Sequence, residues 1–102
     1  MAYEAALSAF SDPTRRSVFE RILNTPRSVT AIAEGLPVGR PAVSQHLKVL
    51  KEAGLITERR NGARRLYAAD PQALGGLRAA IEAMWYEALA GVAATLDREH
   101  ER

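Results

Sequence analysis

The apolar positions fall into short helical stripes in the first half of the chain, a strand-like stretch in the middle and one long stripe at the end. "YEAALSAF" places Ala5, Ala6, Leu7 and Phe10 on one rough helical face, and "SDP" stops it, which predicts a short first helix. Asp12 followed by Pro13 is a helix start: the carboxylate accepts unpaired N–H groups and proline fits the first turn. Val18, Ile22 and Leu23, with Phe19 beside them, predict a helix ending near Asn24. Pro26 closes that element, and "SVTAIAEGL" predicts about two turns capped by Ser28 or a neighbour and stopped at Gly35. The tight connection "LPVG" leads into "RPAVSQHLKVLKEAG", a helix stopped by Gly54.

On that last helix, a turn of about 100° per residue puts Val43, Leu47 and Leu50 on one face, with Ala42, Val49 and Ala53 on its flank. Pro41, Ser44, Gln45, Lys48 and Glu52 form a contiguous strip on the opposite side. A helix docked on its own domain presents such a strip to something outside. "LITERRNGARRLYAA" then switches to strand character around Asn61-Gly62, the pair favoured in two-residue type I′ hairpin turns. That turn would pair Arg60 with Ala63, Arg59 with Arg64 and Glu58 with Arg65, and it would oppose two arginines that repel unless an anion lies near them. Asp70-Pro71 repeats the helix-start signal. Leu74, Leu77, Ile81, Trp85, Ala88, Val92 and Leu96 follow at spacings of three and four, predicting an amphipathic helix of about 25 residues weakened near Gly75-Gly76. On a small domain this helix overhangs, and a second copy of the chain is the natural cover for its apolar stripe.

Charge sharpens the picture. The net charge is only +2, but residues 37–68 hold seven basic residues against two acidic ones, a local +5, while the rest of the chain carries −3. One segment is therefore suited to an anionic partner and the remainder is not. The 102 residues contain no cysteine, which excludes disulfides, thiolate metal sites and thiol switches. One domain over residues 1–102 is expected, with disorder confined to the charged tail "DREHER". No apolar run approaches a membrane span and the start lacks the pattern of a signal peptide, so no membrane association and a cytoplasmic location are expected.

A short helix, a turn, a second helix with a polar outer strip and a basic hairpin together predict a winged helix-turn-helix. The fold class is mainly α (α+β), with a two-stranded β-hairpin wing and long N- and C-terminal dimerisation helices. The helix-turn-helix spans about 29–54, the wing about 55–68 and the C-terminal helix about 71–97. The strip is placed to enter a DNA major groove. Ser44 and Gln45 suit base edges, since glutamine pairs bidentately with adenine, whereas Arg40 and Lys48 suit phosphates or a guanine. Pro41 lies on the same strip. Arg59, Arg60, Asn61, Arg64 and Arg65 at the ribbon tip suit the flanking backbone or minor groove. His46 falls between the packed face and the Ala42/Ala53 flank, where packing or capping outweighs base reading, although it stands beside the DNA-side candidates. Leu7, Phe10, Leu77, Ile81, Trp85, Leu89, Val92 and Leu96 are the expected dimer interface. Trp85 with Met84 and Tyr86 suits dimer core better than a ligand pocket. No histidine–carboxylate pairing, phosphate loop or metal motif is present, so an enzyme is not expected, nor a cofactor. The competing reading is a winged-helix module that binds another protein and no DNA.

Residues 7–96 resemble repressors of the ArsR/SmtB family. "LSAFSDPTRRSVFERIL" is similar to the family's opening helix pair, "VTAIAEGLPVGRPAVSQHLKVLKEAGLI" to its helix-turn-helix, and "ERRNGARRLYAAD" to its wing. The resemblance implies a homodimer, joined through the first and last helices, that binds an operator in double-stranded DNA and represses. It also implies that Ser44 and Gln45 are the residues at the DNA. Metal-sensing members carry a Cys-x-Cys pair where this chain has Ser28 and Thr30, and neutral hydroxyls do not replace thiolates for soft metals. The zinc site that other members build between last helices would have only Glu82, Glu87 and the terminal His100 to draw on. The chain is closest to the non-metal branch, and no metal ligand is assigned. Gly39 stands where the family commonly has serine, which keeps an acceptable N-cap and removes one phosphate contact. A small-molecule inducer is compatible with the chain, but no motif marks its site.

Overall fold

The computed structural model describes residues 3–100, in the order α1 (Glu4–Ala9), α2 (Pro13–Ile22), α3 (Val29–Glu34), α4 (Arg40–Glu52), β1 (Ile56–Asn61), β2 (Arg64–Ala69) and α5 (Pro71–His100). The starts of α2, α3 and α5 follow from side-chain caps. Asp12 accepts the Arg15 amide at 3.0 Å, Ser28 Oγ accepts that of Ala31 at 3.2 Å, and Asp70 accepts those of Gln72 and Ala73 at 3.0 and 3.3 Å. Each bond satisfies an N–H that a helix start leaves unpaired. The end of α4 is equally well defined: the Gly54 amide donates to Lys51 O at 2.9 Å and the Leu55 amide to Leu50 O at 3.0 Å. Together they make a Schellman closure, with Leu55 turned into the core.

The core is gathered from every element except β2, whose Tyr67 and Ala69 are only half-buried against it. Ala6 and Ala9 of α1, Val18, Phe19 and Ile22 of α2, Ile32 of α3 and Val43, Leu47 and Leu50 of α4 are buried together with Leu55, Ile56 and Leu77. The three α4 residues are at most 2% exposed, as their spacing requires. Leu23 departs from expectation: it lies one residue beyond α2 and is 45% exposed.

The wing is an antiparallel pair whose register differs from the expected one. Asn61 pairs with Arg64, Arg60 with Arg65, Arg59 with Leu66 and Glu58 with Tyr67, so the loop residues are Gly62 and Ala63 and not Asn61 and Gly62. Gly62 has φ +66° and, among the described residues, none other than glycine has positive φ, which is the sign pattern of a type II′ turn. The base of the hairpin fixes this choice. The Asp70 amide donates to Leu55 O at 2.9 Å, and Tyr67 exchanges both backbone hydrogen bonds with Arg27, ahead of α3.

Of the two terminal helices only the last is long. α1 has six residues, while α5 has 30 and runs without interruption through Gly75-Gly76. Tyr3 lies against Gly76, where a Cβ would meet its hydroxyl at 2.7 Å, so the glycine makes room for the start of the chain. The tail expected to be disordered is helical from Asp97 to His100; residues 101–102 lie outside the described residues. Only the beginning of α5 touches the body, through buried Leu77 and half-buried Leu74 and Ile81. Beyond Ile81 every described residue is exposed, and the molecule reaches 69 Å in its longest dimension. Among the described residues no helix is long and apolar enough to cross a membrane.

Candidate nucleic-acid interface

α4 is set against the core by Val43, Leu47 and Leu50, which leaves Arg40, Pro41, Ser44, Gln45 and Lys48 on the solvent side, all exposed. Gly39 caps it without a side chain and Pro41 sits in the first turn. Among the described residues, Arg40, Ser44, Gln45 and Lys48 make no intramolecular side-chain hydrogen bond or ion pair, so their donors and acceptors are free for a partner. His46 is placed differently. It is half-buried, its Nδ1 is shut off from solvent without a hydrogen-bond partner, and it stands near the Asp12 cap of α2. It belongs to the packing between α4 and α2 and not to the strip. The hydrogen bond from the Arg15 amide holds the Asp12 carboxyl below its ordinary 3.8, and the charge of His46 lowers it further.

The wing divides its arginines between two faces. Alternation along the paired strands puts Glu58, Arg60, Arg65 and Tyr67 on one face and Arg59, Asn61 and Arg64 on the other. The opposed arginines are therefore Arg60 and Arg65, where the expected register named Arg59 and Arg64. Glu58 relieves that repulsion: it hydrogen-bonds Lys51 of α4, and its second oxygen lies 3.8 Å from Arg65. The Lys51 hydrogen bond keeps the Glu58 carboxyl below its ordinary 4.5. Burial raises the Tyr67 hydroxyl above 10.0, and the neighbouring Glu58 charge adds to the shift. Strip and wing thus border one crevice, lined by Ser44, Lys48 and Lys51 on α4 and by Glu58, Arg65 and Tyr67 on the wing. A second groove runs between α3 and β2, lined by Ser28, Thr30, Glu34, Arg64 and Arg65.

Lys51 was not singled out by sequence reasoning, and Glu58 was named only as the expected cross-strand partner of Arg65, a place that Tyr67 takes. The basic surplus of residues 37–68 does not say which cations are already paired. The reverse holds for four other arginines. Arg15 donates to Ala9 O at 3.2 Å, Arg16 to Phe10 O at 2.6 Å, Arg21 to Ala31 O at 2.9 Å and Arg27 to Arg21 O at 2.7 Å. Each takes a carbonyl at the end of a helix, where backbone acceptors lack partners. These cations hold helix ends together.

The expected dimer residues also separate. Leu77 is 7% exposed inside the protomer's own core and offers no free surface, while Phe10 is half-buried with its ring edge-on to Phe19 at 5.1 Å. Leu7 is exposed on α1, Ile81 is half-buried, and Trp85, Leu89, Val92 and Leu96 stand 55–64% exposed along α5. For metals the fit is poor. Ser28 Oγ is committed to capping α3, Glu82 is paired with Arg78 at 3.0 Å, and no group of three or more metal-ligating side chains occurs among the described residues.

Comparison with known proteins yields a consistent set of likenesses. The family described as a helix-turn-helix domain matches residues 10–59. The chain is 47% identical over 96 residues to the HTH-type transcriptional regulator Rv2034 of Mycobacterium tuberculosis, covering 94% of this chain and 90% of that protein. Among solved structures, an ArsR-like transcriptional regulator from Rhodococcus sp. RHA1 superposes with a TM-score of 0.90 at 25% identity, over 99% of this chain and 93% of that one. The homodimeric winged helix-turn-helix DNA-binding domain of Mb0332 from Mycobacterium bovis superposes with a TM-score of 0.68 at 25% identity, over 86% of this chain and 82% of that one.

Proposed function

Because the chain belongs to the ArsR/SmtB family of winged helix-turn-helix transcriptional regulators, and so is a DNA-binding regulator and not an enzyme, we propose that it acts as a homodimeric repressor of an inverted-repeat operator, without a metal-sensing site. The observation that carries this reading is the unpaired polar strip of α4, bordered by an arginine-rich wing and held rigid from beneath by a close-packed face.

In this reading the whole chain is one DNA-binding unit working in the cytoplasm. α4 enters the major groove, where Ser44 and Gln45 meet base edges. Arg40 and Lys48 take phosphates beside it, and Arg59, Arg60, Asn61 and Arg64 reach the adjacent backbone or minor groove. Two chains pair through the bare stripe of α5 and Leu7 of α1. The overhang of α5 supports this, and so does the homodimeric state named for the Mycobacterium bovis neighbour. Symmetry then sets the two recognition helices about 34 Å apart.

Fluorescence anisotropy with a random-sequence duplex tests the DNA contact. Affinity should fall roughly a thousandfold between about 50 and 200 mM salt if about six phosphates are contacted. Binding that is absent, or indifferent to salt, would transfer the wing and α5 to a protein partner.

A further inference from the structure

Glu58 is the one carboxylate on a hairpin that carries four arginines, and it is already occupied. It accepts a hydrogen bond from Lys51 at the end of α4, lies 3.8 Å from Arg65, and faces Tyr67 across the strand pair. Tyr67 is anchored in turn by its backbone pairing with Arg27. These contacts border the same crevice as Ser44 and Lys48, so Lys51 and Arg65 are cations that an incoming phosphate would meet. Both are more than half exposed, at 52% and 59%, and an ion pair that open to solvent contributes little to folding. The effect of the carboxylate is therefore on binding: it holds the wing against α4 and withholds two charges from DNA.

We propose that Glu58 sets the specificity of DNA binding without touching DNA, acting as an internal stand-in for a backbone phosphate that occupies Lys51 and Arg65. The proposal rests on the reading of α4 and the wing as the DNA-facing surface. With those cations occupied, sequence-independent attraction is lowered and the base contacts of Ser44 and Gln45 decide where the protein settles. On random DNA, loose docking would let both freed cations find phosphates. On the operator, the base contacts fix the pose, so freed cations gain less and the wing loses its tether.

The test is Glu58→Gln in the full chain, titrated against a random-sequence duplex and the wild-type operator over a salt series. Affinity for random DNA should rise about tenfold at 100 mM salt, with a salt slope steeper by about one to two. The operator-to-random ratio should narrow several-fold. Lys51→Gln should change random-DNA affinity less than about twofold in the wild-type background, and should remove about half of the logarithmic gain in the Glu58→Gln background. Unchanged random-DNA affinity and slope would overturn the proposal. So would an equal loss on both DNAs, which is what a merely structural wing tether gives, or an equal gain on both, which is a brake without selectivity. If the wild-type protein binds its operator and the variant shows any of these, this inference alone fails; if the wild-type protein binds no DNA, the functional reading falls with it.

Discussion

Gln45 and Arg64 are both exposed and unpaired, yet DNA can use them in different ways. A glutamine amide offers one donor and one acceptor at a fixed spacing, which matches the edge of adenine, whereas a guanidinium at a ribbon tip finds a phosphate beside any sequence. Gln45→Ala should therefore cost about 1–3 kcal/mol on the operator and almost nothing on random DNA. Arg64→Ala should weaken both and lower the salt slope by about one. Equal losses on the two DNAs for Gln45→Ala, measured by anisotropy, would contradict its role as a base reader. At this scale the strip was legible because exposure on a helix follows from spacing alone. Leu77 was not, since periodicity says that a side chain is covered but not by which chain. Nor were Arg15, Arg16, Arg21 and Arg27, whose carbonyl partners lie six or ten residues away and become neighbours only when the helices pack.

At the scale of elements, local chemistry settled the helix starts and tertiary contacts settled the hairpin. Asp12, Ser28 and Asp70 all cap the helices their sequence context predicts, because a cap needs only its own next three residues. The turn at Asn61-Gly62 had a strong local preference, and it was overruled at the other end of the ribbon, where Asp70 binds Leu55 and Tyr67 pairs with Arg27. Moving the loop by one residue kept every side chain on its expected face while exchanging all partners, which is why the basic tip was read correctly and its opposed pair was not. The Asp12 cap has a pH signature. Its carboxyl titrates below 3.8 in the folded chain, so its stabilisation is complete above about pH 4 and disappears as pH falls through the lower folded value. Asparagine caps nearly as well and does not titrate. In urea melts, the advantage of wild type over Asp12→Asn at neutral pH should shrink steadily below about pH 4; a difference independent of pH would mean that the charge is not what caps α2.

The whole molecule is shaped by an imbalance between a small, well-filled body and a helix too long for it. About 45 Å of α5 follows from 30 residues at the usual rise, and the body covers only its first turns. The stripe from Ile81 through Trp85, Leu89 and Val92 to Leu96 continues the line that Leu77 buries, so the apolar surface that closes the core runs on, uncovered, along α5. The start of this helix at Asp70-Pro71 and its run through Gly75-Gly76 were readable from its spacing, but it has 30 residues where about 25 were expected, and the contact of Tyr3 with Gly76 was not readable because it comes from the far end of the sequence. Dimerisation through α5 would turn one polar strip into two related by a twofold axis, a geometry that the bound DNA must mirror. It is tested most directly by selecting bound fragments from random duplex DNA at about 150 mM salt and sequencing them. An enriched inverted repeat with half-sites one helical turn apart, about 10 base pairs from centre to centre, is expected; enrichment of a single unpaired site, or of no motif at all, would contradict that geometry.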